Sequence, residues 1–203
     1  MPRIADHPRA SIERTLELAA AVEELGGECT LEAAADRLGA SPGGSFGALV
    51  STAVKYGWIS IRRGRLRAEP RYRAYRLAYD EAERRAALVD AMRDVPLFQR
   101  LLERFGGRTL PEDRLARLLI REFDVPEPAA GRVADWFVEA AVAAGLLAGG
   151  QLRSTPTGAP EVSRRAAHPA PEPDAKRSAG YSVRVSGPDL DSRKNAHGPI
   201  ATR

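Results

Sequence analysis

The feature that most constrains this chain is an internal repeat. Leu25-Gly26-Gly27-Glu28-Cys29-Thr30-Leu31 returns as Phe105-Gly106-Gly107-Arg108-Thr109-Leu110, an apolar residue followed by a glycine pair and a Thr-Leu step. The two stretches then stay in phase. Each runs through a helical pattern to Ser41-Pro42 or Glu127-Pro128, and through a second helical pattern to Gly57 or Gly145. Beyond that glycine, residues 58–67 answer residues 146–153, with two fewer residues in the second tip. Such a period predicts a tandem duplication, in which one small fold is built twice.

The first copy reads as helix, short extended piece, helix, helix, hairpin. Ser11 is the expected N-cap of a helix through Leu25, with Ile12, Leu16, Ala19 and Ala20 in one apolar row and Leu18, Val22 and Leu25 beside it. Residues 29–31 are too short for an independent strand but suit the side of a hairpin. Thr30 is placed to cap a helix over 31–38, and Ser41-Pro42 to open a third helix. There Phe46, Leu49, Val50 and Ala53 form an i, i+3, i+4, i+7 stripe, leaving Ser45, Ala48, Ser51, Thr52 and Lys55 on the opposite face. Residues 58–62 and 65–68 read as strands, with Gly64 supplying the positive φ of a tight turn.

The second copy predicts a helix over 95–105, a capping box at Thr109-Leu110-Pro111-Glu112 opening a helix to Phe123, and a third helix over 129–144. Leu146, Leu147 and Leu152 would anchor a stunted hairpin. Residues 71–94 contain no Gly or Pro and predict one linker helix. The expected fold class is therefore mainly α with short β-hairpins: two tandem winged-helix units, a helix-turn-helix variant whose hairpin is the wing. The boundaries are a flexible N-terminus (1–10), unit one (11–70), the linker helix (71–94), unit two (95–153) and a Pro-rich disordered tail (154–203) with a short strand at 181–185.

The paired units, the Gly-Trp-Ile and Gly-Leu-Leu steps after the third helices and the Arg-Tyr linker together resemble a bacterial family of tandem winged-helix proteins over about residues 11–153. The resemblance rests on apolar and glycine positions, so it implies a fold and brings no catalytic residues with it. Relatives of this kind often end in a strand-forming segment, and Tyr181-Ser182-Val183-Arg184-Val185 looks like its beginning. Residues 191–203 depart from that pattern, which reads as a truncated or frame-altered C-terminus.

Charge gives the functional expectation. The 203 residues net +4, yet Lys55, Arg62, Arg63, Arg65, Arg67, Arg71, Arg73 and Arg76 crowd into 22 positions against Glu69 alone. The tail is mildly basic and the rest of the chain is acidic, so one concentrated strip is offered to a polyanion. On a hairpin, Arg62, Arg63, Arg65 and Arg67 would reach phosphates; the bland alternative is an edge hairpin kept soluble by charge. Ser45, Ser51, Thr52 and Lys55 would add contacts from the third helix. That face has no Arg, Asn or Gln for bidentate base contacts, so double-stranded DNA would be read with weak sequence specificity. Arg71, Arg73 and Arg76 alternate with Tyr72, Tyr75 and Tyr79, a row better suited to packing than to base stacking. The corresponding face of unit two carries Arg132, Asp135 and Glu139, which repels phosphate and suits a protein partner.

Other classes find little support. Cys29 is the single cysteine, and with His7, His168 and His197 it makes no ordinary zinc set. No Gly-rich loop with a lysine, no placed catalytic histidine and no run of about 18 to 20 apolar residues occurs. The expectation is a cytoplasmic, non-enzymatic DNA-binding protein, a regulator, without cofactor or metal. The rival is a protein-interaction adaptor whose arginines meet an acidic partner.

Overall fold

The computed structural model describes residues 6–154. The expected tail beyond 154, with its strand at 181–185, lies outside the described residues, as do residues 1–5. Among the described residues the chain is mainly helical, with two small antiparallel sheets of three strands each. In chain order the elements are α1 (Ile12–Glu24), β1 (Glu28–Thr30), α2 (Leu31–Arg37), α3 (Gly44–Lys55), β2 (Ile59–Arg62), β3 (Arg65–Ala68), α4 (Pro70–Arg76) and α5 (Glu81–Arg93). They continue as α6 (Pro96–Phe105), β4 (Arg108–Thr109), α7 (Glu112–Phe123), α8 (Glu127–Ala143), β5 (Leu147–Ala148) and β6 (Gln151–Leu152). The order helix, strand, helix, helix, hairpin thus occurs twice, and the sheets share one topology, β1-β3-β2 and β4-β6-β5.

Local chemistry explains most boundaries. The Ser11 hydroxyl accepts from the Arg14 amide at 3.3 Å and the Thr30 hydroxyl from the Ala33 amide at 3.2 Å, each satisfying a donor in the first turn of its helix. Other starts differ from expectation. Gly43, not Ser41, is the N-cap of α3. Thr109 does not cap α7, because the helix starts only at Glu112, two residues later than a cap at Thr109 would begin it, and Pro111 takes the N-cap position without a side-chain bond. Helix α8 begins at Glu127, with Pro128 in its first turn where a missing amide costs nothing.

The linker is broken, contrary to the single helix expected over 71–94. Helix α4 ends at Arg76 and α5 begins at Glu81. Two side chains cause the break without any Gly or Pro: Asp80 accepts from the Glu83 amide at 2.8 Å, and Glu83 reaches back to the Tyr79 amide at 2.8 Å. This reciprocal cap satisfies donors that a continuous helix would have bonded to carbonyls one turn earlier. The tyrosine row is cut with it. Tyr72 is buried and Tyr75 packs on Trp58 at 5.7 Å, whereas Tyr79 is 99% exposed.

One core runs through both copies. Phe98 of α6 lies 6.4 Å from Tyr56, at the end of α3, and meets Phe137 of α8 edge-on at 5.1 Å. All three rings are fully buried, and aromatic edge contacts add to the gain from removing apolar area from water.

Candidate nucleic-acid interface

The basic hairpin is built by register. Strand β2 pairs with β3 as Arg62↔Arg65, Ile61↔Leu66, Ser60↔Arg67 and Ile59↔Ala68. On its other side β3 pairs with β1 as Thr30↔Arg65, Cys29↔Leu66 and Glu28↔Arg67. Because side chains alternate along a strand, Arg62, Arg65, Arg67 and Ser60 share one face with Glu28 and Thr30. The opposite face carries Ile59, Leu66, Ala68 and Cys29 into the core, and burial pushes the Cys29 thiol up, which leaves it protonated and inert.

The turn between the strands is Arg63-Gly64, with φ 51° and 74°. Two consecutive left-handed residues are the geometry of a type I′ turn, whose twist matches that of the strands. In the second sheet Gly149-Gly150 forms the equivalent turn at φ 58° and 75°. The two tips therefore have the same length; the second hairpin is shorter because its strands are, not its turn. A glycine stands in the second hairpin where the first has an arginine in the left-handed region.

Arg62, Arg63, Arg65 and Arg67 are all exposed. Arg65 donates through Nε to Glu28 Oε1 at 2.6 Å. Among the described residues the side chains of Arg62, Arg63 and Arg67 make no ion pair or hydrogen bond. Nothing among the described residues neutralises Arg62, whose cross-strand neighbour is another arginine.

The other half of the basic strip is engaged within the chain. Lys55 bonds the Asp6 carboxylate and donates to the His7 carbonyl at 3.1 Å. Arg71 donates to the Tyr56 carbonyl at 2.9 Å and pairs with Asp94, while Arg73 pairs with Glu23 at 3.2 Å. Thr52 is 1% exposed; its hydroxyl donates to the Ala48 carbonyl at 2.7 Å and accepts from the Arg9 amide at 3.0 Å. Thr52 therefore offers nothing to a nucleic acid, and Lys55 and Arg71 serve the fold. Arg76, Ser45 and Ser51 are exposed, and Arg76 has no ion pair among the described residues.

Sequence reasoning missed what covers α3. Residues 6–10, expected to be flexible, lie across the helix through the bonds of Thr52 and Lys55, with Pro8 buried. Beside them, His7, Arg9, Ser45, Ala48, Pro126, Ala129, Arg132 and Trp136 line a cleft of about 440 Å³ between the two copies. Neither feature has a periodic signal: a short polar segment holding one proline reads the same whether it is docked or free.

No family model, curated protein or solved structure matches the chain. Among the described residues no helix is long and apolar enough to cross a membrane, and no group of three or more His, Cys, Asp and Glu stands close enough to hold a metal ion.

Proposed function

We propose that the protein is a cytoplasmic, non-enzymatic DNA-binding protein made of two winged-helix units, a regulator whose first wing grips duplex phosphates. The observation that carries this reading is the Arg62, Arg63, Arg65, Arg67 cluster around the type I′ turn, three of whose members have no side-chain partner among the described residues. Guanidinium groups on a projecting hairpin suit phosphate oxygens, and an arginine set directly opposite another is unfavourable until an anion lies between them. Phosphate contacts position a protein without reading bases, so binding should depend weakly on sequence. The second hairpin, tipped with Gly149-Gly150, has no counterpart to this charge. That unit, with Arg132, Asp135 and Glu139 on α8, is assigned to packing or to a protein partner.

The test is duplex DNA binding by the full chain across a salt series. Four phosphate contacts give a log–log slope of about −3.6, from about −0.9 per contact. Replacing the four arginines with alanine should bring the slope near zero and weaken all sequences alike. One observation favours the adaptor reading instead: the C-terminal end of the α3 face, at Thr52 and Lys55, is occupied by residues 6–10. If DNA binding shows no salt dependence, the same arginines belong to an acidic protein partner.

A further inference from the structure

We propose that the cleft between α3, α8 and residues 6–10 binds a small planar organic anion, an aromatic carboxylate. Its volume of about 440 Å³ lies within the usual range for small-molecule sites. The polar lining is one-sided in charge. Arg9 and Arg132 both face the cleft, neither has an ion pair among the described residues, and no carboxylate contributes to the wall. Two unpaired guanidiniums beside one cavity are the donor set that a carboxylate satisfies through forked hydrogen bonds.

The apolar lining sets the shape of the ligand. Trp136 lines the cleft from α8 on the same face as Ala129 and Arg132, with Pro126 at the start of that helix, and Ala48 lines it from α3, so the apolar wall is one indole beside small side chains, which suits a ring. Ser45 adds a hydroxyl, and a neighbouring cleft of about 310 Å³ shares Ser45 and Trp136, giving room for a substituent. The wall formed by residues 6–10 is held in place before any ligand arrives. The Arg9 amide is bonded to Thr52 and the His7 carbonyl to Lys55, while His7 Nδ1 lies 2.8 Å from the Pro8 carbonyl and donates to it. A preorganised wall spends little binding energy on ordering. The proposal does not depend on nucleic-acid binding, since none of the wing arginines lines the cleft.

The experiment titrates the full chain with salicylate, phthalate and indole-3-acetate, and with salicylamide and indole-3-acetamide as uncharged counterparts. Calorimetry gives the affinity. For phthalate, which does not emit in the indole band, tryptophan emission reports the site, because Trp136 lines the cleft and the other tryptophan, Trp58, is fully buried. At least one acid should bind with Kd below about 1 mM, and its amide about tenfold more weakly. Arg132→Gln and Arg9→Gln should each weaken the acid roughly tenfold without moving the unfolding midpoint, since both side chains are exposed. Trp136→Phe should abolish the emission change while calorimetric binding persists. Three results would each overturn the proposal: no acid saturates, the amides bind as well as the acids, or the arginine variants bind like the wild type.

Discussion

Arg62 stands directly opposite Arg65 in the last pair of the β2–β3 ladder before the turn, and among the described residues Arg65 alone of the two has a carboxylate within reach, that of Glu28. Like charges placed across a strand pair destabilise it, so the free protein carries a repulsion that a bound anion would relieve. Arg62→Thr should therefore raise the stability of the free protein by about 0.2 to 1 kcal/mol, the range for a cross-strand pair, while reducing the salt slope of DNA binding by about 0.9. Urea unfolding and a salt titration on the same variant check both halves. A variant that loses stability would show that Arg62 supports the hairpin rather than straining it.

Arg63 makes the same case through the backbone. It sits at φ 51°, in a region where a side chain costs about 1 to 2 kcal/mol relative to glycine. The second hairpin has Gly149 at this turn position. Arg63→Gly should stabilise the protein by about 1 kcal/mol in thermal or urea unfolding and weaken DNA binding at low salt. If the variant were more stable and bound DNA equally well, Arg63 would have no part in the contact.

Much of this could be read from the sequence, and the rest escapes it for two reasons. Ser11 and Thr30 announce their helices because an N-cap acts within four residues, and the wing arginines are legible because register follows from alternation and turn length. The Asp80–Glu83 cap is equally local, but a stretch without Gly or Pro over 71–94 reads as one continuous helix. The contacts that spend Lys55, Thr52, Arg71 and Arg73 join residues 15 to 50 positions apart, and no window on the chain reveals them. Half of the basic strip, Lys55, Arg65, Arg71 and Arg73, is thus paired within the fold.

Gly57 tests how far Arg71 belongs to the fold. Its φ is 70°, and a Cβ placed there would lie 2.5 Å from Arg71 Nη1, the atom that bonds the Tyr56 carbonyl. Gly57→Ala meets both the left-handed penalty and this clash, so it should cost at least about 1 to 2 kcal/mol. Combining it with Arg71→Ala removes the clash but not the φ penalty. The two changes should thus be less than additive in a double-mutant cycle, and strict additivity would place Arg71 away from Gly57 in solution.

The junction between the copies should respond to pH through Glu139. Oε1 of Glu139 and the hydroxyl of Tyr56 are both buried without a hydrogen-bond partner among the described residues. Burial raises the Glu139 carboxyl above its ordinary value of 4.5, the Glu13 charge raises it further, and hydrogen bonds from Ser11 and the Glu13 amide pull the other way. Burial, with the Glu139 charge behind it, likewise holds Tyr56 well above the usual phenol range. A group whose pKa rises on folding binds its proton more tightly in the folded chain. Its stabilising effect is full below the unfolded-state value and is lost as pH rises through the folded one. Stability should therefore fall as pH climbs from about 4.5 toward neutrality, and fall again above about 10 as Tyr56 is forced to ionise on unfolding. Glu139→Gln removes the charge but keeps the shape, so it should flatten the acidic limb and raise stability at pH 7 relative to the wild type. Tyr56→Phe removes an unsatisfied hydroxyl whose desolvation costs about 1 to 3 kcal/mol, so it should be neutral or stabilising and abolish the alkaline limb. Urea midpoints of the three proteins between pH 4 and 11 decide the matter, and an acidic limb that persists in Glu139→Gln would assign it to another carboxylate.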